Sequence, residues 1–183
     1  MYKNTRPLIL TALFAALTAV GAFLQIPFGI TSITLQFFFT ALAGLLLGPK
    51  WGALSQAVYV GLGLTGLPVF TQGGGPGYVL QPSFGFLLGL IPAAAVIGLL
   101  AGDGSRSWRT VLACGVGDAV VYLSGIPYMY LILNLYLGRS MTLTQVLWAG
   151  MVVFLPGDLL KIGIAAALSR PLLRALSHGA PLR

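Results

Sequence analysis

Apolar residues run along this chain in blocks long enough to cross a lipid bilayer, separated by Gly, Pro and one or two charges at a time. A helix needs about 20 apolar residues to span the hydrocarbon layer, so the blocks predict transmembrane helices. The first covers roughly residues 7–26 and stops where Pro27 and Gly29 interrupt the pattern. The second covers 33–48, closed by Gly48 and Pro49, and the third 51–67, before Pro68. The fourth covers 84–101 and holds Pro92 as a candidate kink. Residues 108–137 form one stretch that would measure about 45 Å as a single helix, more than a bilayer requires, so a break is expected at Gly125 to Pro127. The last block covers 144–168 and is followed by Arg170 and Pro171. The pattern predicts an all-α integral membrane protein, a single domain over residues 1–183 with about six transmembrane helices in one bundle.

Composition agrees with lipid as the solvent. The 183 residues are 57% hydrophobic and 7% charged, against roughly 25% charged in an ordinary soluble domain. A net charge of +7 would suggest nucleic acid if the basic residues clustered on a polar surface, but they are scattered between apolar runs. That scatter fits loop charges that set orientation. With the amino terminus in the cytoplasm, Lys3, Arg6, Lys50, Arg106, Arg109, Arg170, Arg174 and Arg183 fall inside, with Arg139 outside and Lys161 within the last span. The chain is therefore expected to be multi-pass in the cytoplasmic membrane with both termini cytoplasmic. Lys3 and Arg6 before the apolar run from Leu8 resemble a signal peptide, yet the run continues too far and reads as an uncleaved first helix. Trp51, Trp108 and Trp148 sit near the starts of their segments, at headgroup level. Cys114 is the only cysteine and reads as a small packing residue.

Candidate chemistry concentrates in the last span. Asp158 and Lys161 lie roughly midway along it, three residues apart and so on one helix face. Each costs about 2.5–3.5 kcal/mol to place at the bilayer centre, so both must face the interior and meet each other or a ligand. An ion pair that only fastens two helices is the plain alternative. The sharper reading is a polar ligand site, with the carboxylate accepting ligand N–H groups and the ammonium donating to a carbonyl or carboxylate.

The segment from Leu67 to Gly85 carries Gly73, Gly74, Gly75 and Gly77, which free the backbone to approach a ligand, and Tyr78, a flat face with a hydroxyl at its edge. It reads as a lid or as an ordinary flexible loop. Gln36 and Tyr122 are polar positions within spans two and five that line a cavity or bond between helices. Asp118 is a further acid within an apolar run, with no partner assignable from sequence. Ala12, Ala15, Ala16 and Ala19 form two overlapping Ala-x-x-x-Ala pairs that let another helix approach closely, inside the bundle or from a partner. Catalysis finds no footing: the one histidine is His178 in the tail, and no nucleophile or metal motif occurs. No catalytic residue, metal or cofactor is expected.

Several ordered motifs then resemble the BioY biotin transporters, the substrate-binding S components of energy-coupling factor importers. They are TLQ at Thr34 to Gln36, LAGLLLGPKWGALSQAVY from Leu42 to Tyr59, GLPVF from Gly66 to Phe70 with its glycine run, and PGDLLK from Pro156 to Lys161. The likeness covers nearly the whole chain. It implies a transmembrane substrate-binding bundle that takes biotin from outside, with no enzyme activity of its own. It implies docking onto a transmembrane T component and two ATPase subunits through small residues among Ala12, Ala15, Ala16 and Ala19. Asp158 and Lys161 match the family's biotin-contacting acid and lysine. Beside them Tyr78, Gly74, Gln36 and Tyr122 complete the expected substrate-binding set, with the tyrosines against the bicyclic ring. ATP would be used by the partner subunits, since the chain has no Gly-x-x-x-x-Gly-Lys-Ser/Thr. An S component for a different vitamin and a passive membrane channel are the alternatives. Asp118 matches no motif of the family.

Overall fold

A computed structural model describes residues 5–102 and 106–177; Lys3, His178 and Arg183, named above, lie outside them. The first apolar block forms helix α1 (Thr5–Phe23). It ends earlier than hydropathy predicts, because the chain turns into a hairpin of β1 (Gln25–Phe28) and β2 (Thr31–Thr34), with Gln25 opposite Thr34 and Phe28 opposite Thr31. Pro27 is tolerated because a two-stranded sheet has only edge strands.

The second and third blocks form one helical element, α2 (Gln36–Leu64), with a reversal inside it. Gly48 adopts φ 78° and ψ −177°, a conformation open to glycine and costly for other residues, and Pro49 starts the next turn. Thr40 donates to Gln56 at 3.0 Å and Gln36 to Tyr59 at 2.7 Å. In a straight helix Gln36 and Tyr59 would stand about 34 Å apart, so residues 36–47 and 49–64 run antiparallel as two arms. Five helical stretches are long and apolar enough to cross a membrane. With the two arms of α2 counted separately, the described bundle has six helical segments.

α3 (Phe84–Ala101) coincides with its predicted block and carries Pro92 without interruption. α4 (Ser107–Leu131) corrects the expected break: it runs straight through Gly125 and Pro127 and widens into a π-helical turn over Ile132–Tyr136. The reason is packing, since the Phe86 ring fills the space where a Gly125 side chain would be, 2.3 Å from an ideal Cβ, and holds α4 against α3. The last block is divided. α5 (Leu143–Leu147) starts on a Thr142/Gln145 capping box. A π-helical turn (Trp148–Val152) follows, and then α6 (Leu155–Ser177), which continues past the expected stop at Arg170 and Pro171.

α2 packs on α1, α3 and α6, α3 on α4, and α4 on α6, closing the bundle. Gly98 of α3 lies against the α2 reversal, where an added Cβ would meet Pro49 N at 2.4 Å; a small residue there lets the helices touch. The Arg6 guanidinium donates to the Leu176 carbonyl, so the start of α1 and the end of α6 share one face, as an even number of crossings requires. Large apolar side chains such as Leu123, Leu135 and Leu159 point outward, the arrangement expected of a lipid-facing surface. Cys114 is fully buried.

Candidate functional site

Three segments close the end of the bundle opposite that shared face: the β hairpin, the glycine-rich segment after α2 and the π-helical turn before α6. The β hairpin is tied to both others, through Gln25 donating to the Thr71 carbonyl at 3.2 Å and Thr31 donating to the Ala149 carbonyl at 3.3 Å. The glycine-rich segment is ordered. Gly73 and Gly75 take φ values of 106° and 103°, and Pro76–Leu80 forms a short 3₁₀ helix that buries Tyr78. The Tyr78 ring packs on Phe70 with centroids 4.6 Å apart, and its hydroxyl meets Thr71 Oγ1 at 3.0 Å.

Beneath these pieces lies a cavity of about 110 Å³. Its apolar wall includes Phe37, Phe86, Leu87, Leu90, Val121 and Phe154. Asp158 and Lys161 enter it from the first two turns of α6, 6% and 9% exposed. They lie near the start of that helix and not at its middle, because the π turn absorbs the first part of the apolar block. A carboxylate in a first turn is favoured by the helix dipole. Lys161 Nζ donates to Asp158 Oδ1 at 2.7 Å, and the Tyr122 hydroxyl of α4 donates to Asp158 Oδ2. The carboxylate is thus held from two sides while facing the cavity.

Gln36 begins α2 and also lines the cavity. It is fixed by accepting from Thr34 Oγ1 at 3.0 Å and donating to Tyr59 Oη, which in turn donates to the Val69 carbonyl at 3.1 Å. Behind it a buried polar chain continues from Thr40 to Gln56 and on to Thr18 of α1, with Gln56 Nε2 donating to Thr18 Oγ1 at 3.2 Å. Every buried polar group in that chain has a partner, as an apolar interior requires.

Of the residues singled out in the sequence, the structure brings Asp158, Lys161, Tyr78, Gln36, Tyr122 and Asp118 to one cavity. Gly74 is outside the lining: an added Cβ would lie 2.0 Å from the Leu67 carbonyl oxygen, so this glycine lets the loop close on itself. The alanines of α1 divide. Ala12 and Ala16 are exposed, Ala19 is half-buried, and Ala15 is buried in the core. The hydroxyls of Thr31, Ser32, Thr34, Thr71 and Ser83, which also line the cavity, were not legible in the sequence. Gln56 and Tyr59, polar residues inside an apolar run, did carry a signal, the cost of burying them. Among the described residues no group of three or more His, Cys, Asp or Glu is placed to hold a metal.

Comparison with known proteins adds sequence to this geometry. Residues 1–178 match the BioY family. A probable biotin transporter BioY of Lysinibacillus sphaericus is 44% identical over 168 residues, covering 91% of this chain and 85% of that one. The biotin transporter BioY of Thermotoga maritima is 40% identical, covering 90% of this chain and 94% of that one. The fold is similar to a crystal structure of the S-component for biotin from an ECF-type ABC transporter, with a TM-score of 0.83, 27% identity and 95% of each chain covered.

Proposed function

The chain belongs to the BioY family, and we propose from that premise that it is a biotin-binding S component, capturing biotin on the extracellular side for uptake through an energy-coupling factor transporter. One observation carries the reading: the Asp158–Lys161–Tyr122 cluster in the wall of an otherwise largely apolar cavity. Biotin presents a ureido ring with two N–H donors and one carbonyl, a thioether ring and a carboxylate tail. Asp158 accepts a ureido N–H and Lys161 donates to the ureido oxygen, while the apolar walls with Tyr78 and Tyr122 enclose the fused rings. The Ser32 hydroxyl of the hairpin, and that of Thr71 when Tyr78 supplies the proton they share, are neutral donors for the tail. Gln36 borders the same space, and Gly74 serves by shaping the loop.

In this reading energy comes from a transmembrane T component and two ATPases, which dock on the exposed Ala12 and Ala16 of α1. The chain contributes binding and no chemistry. No cofactor is needed, and ATP is consumed on the partners. The excess of Lys and Arg at one face supports cytoplasmic termini. A different vitamin is not favoured, because the relatives above are biotin transporters by name.

The test is thermal unfolding of the detergent-purified chain with a panel of vitamins. A ligand at a hundred times its Kd stabilises the folded state by about 2.7 kcal/mol. A raised midpoint with biotin alone is expected. A shift with another vitamin and none with biotin would reject the assignment.

A further inference from the structure

Asp118 has no role in the account above. It lies on α4, one helical turn before Tyr122 and on the same face. It is 8% exposed and lines the cavity, yet it accepts no hydrogen bond from the described residues and forms no ion pair. Lys161 Nζ bonds Asp158 and not Asp118, and keeps further N–H groups for a ligand. The Asp118 carboxyl group opens on the cavity with no donor of the described residues bonded to it, so it is an acceptor open to a donor that arrives with the ligand.

The chemistry of a cyclic urea supplies that group. Its two N–H bonds diverge on either side of the carbonyl, so one carboxylate cannot accept both. Asp158 already receives Lys161 on one oxygen and Tyr122 on the other; each oxygen keeps a lone pair, but the divergence of the two N–H bonds lets only one of them reach this carboxylate. α4 and α6 pack against each other, and both Asp118 and Asp158 line the cavity between them, so a second carboxyl group borders the same space as the first. We propose that Asp118 is a specificity-determining residue, the acceptor for one ureido N–H while Asp158 takes the other and Lys161 the carbonyl. The proposal rests on the biotin reading and deepens it.

The experiment pairs residue variants with ligand variants. Asp118→Leu and Asp118→Asn are made in the full chain, and binding is measured for biotin and for two analogues methylated on one or the other ureido nitrogen. Asp118→Leu should weaken biotin about ten- to a hundredfold, the loss expected for a hydrogen bond to a charged group. It should bind one of the two analogues no more than about threefold worse than the parent protein does, because that analogue lacks the N–H in question. Asp118→Asn keeps an acceptor oxygen and should recover part of the loss. The unliganded midpoint of Asp118→Leu should be unchanged or raised, since a polar group that no described side chain bonds has been replaced by an apolar one. A lowered midpoint would assign Asp118 a structural role and overturn the proposal. Unchanged biotin affinity, or equal losses for biotin and both analogues, would also overturn it. Absence of biotin binding in the parent chain would remove the underlying reading, a result distinct from any of these.

Discussion

Replacing the Asp158–Lys161 pair separates its contribution to binding from its contribution to stability. The two groups are 2.7 Å apart and almost wholly buried. Removing one partner, as in Lys161→Ala or Asp158→Ala, strands the other charge and should cost about 3–5 kcal/mol. At roughly 2–4 °C per kcal/mol for a chain of this size, the midpoint should fall by roughly 6–20 °C. Replacing both, as in Asp158→Leu with Lys161→Met, removes the stranded charge, and such apolar replacements are neutral or stabilising by about 1–4 kcal/mol. Against that stands the Tyr122 hydroxyl, which loses its acceptor at a cost of about 1–3 kcal/mol. The double variant should therefore unfold near the midpoint of the parent while showing no shift on adding biotin. Thermal unfolding with and without biotin, together with equilibrium titration, reads both quantities. A double variant that still responds to biotin would refute the assignment of the pair to the ligand. Single variants with unaltered midpoints would refute its burial.

The bundle offers further tests. Gly48→Val forces a β-branched residue into φ 78° at the α2 reversal and should lower stability by about 1–3 kcal/mol or more, seen as reduced yield of monodisperse protein. Gln56→Leu removes the centre of the buried polar chain. Thr40 and Thr18 keep their bonds to the Gln36 and Phe14 carbonyls, so a loss of about 1–3 kcal/mol is expected with biotin affinity nearly unchanged. Ala16→Trp, on the exposed side of α1, should leave stability and biotin binding intact and abolish co-purification with a T component and ATPases; intact co-purification would move the docking surface elsewhere.

Hydropathy located the membrane passes because the bilayer imposes a length that a run of residues must meet. It misjudged places where packing overrides local preference. Gly125 and Pro127 read as a break, yet the Phe86 ring holds the helix together across them. Pro171 read as a stop, yet α6 continues past it, its end tied to Arg6 far away in sequence. Asp158 and Lys161 stood out because charge in an apolar run is conspicuous whatever the fold. The hairpin hydroxyls did not, because Thr and Ser beside Gly and Pro look like any loop until pairing orients them. Tyr78 was visible as an aromatic in a glycine-rich stretch, but its burial on Phe70 depends on φ angles that composition does not reveal.

The reversal at Gly48 bears on how the protein enters its membrane during synthesis. The arms 36–47 and 49–64 measure about 18 Å and about 24 Å, each short of the roughly 30 Å hydrocarbon layer. Neither is a strong insertion signal alone, and Gln36, Thr40, Gln56 and Tyr59 satisfy one another only when both arms are present. The unit that partitions from the translocation machinery into lipid is therefore the pair. The first arm alone would bring the Gln36 amide nitrogen to hydrocarbon without its partner, and the completed hairpin pairs it with Tyr59.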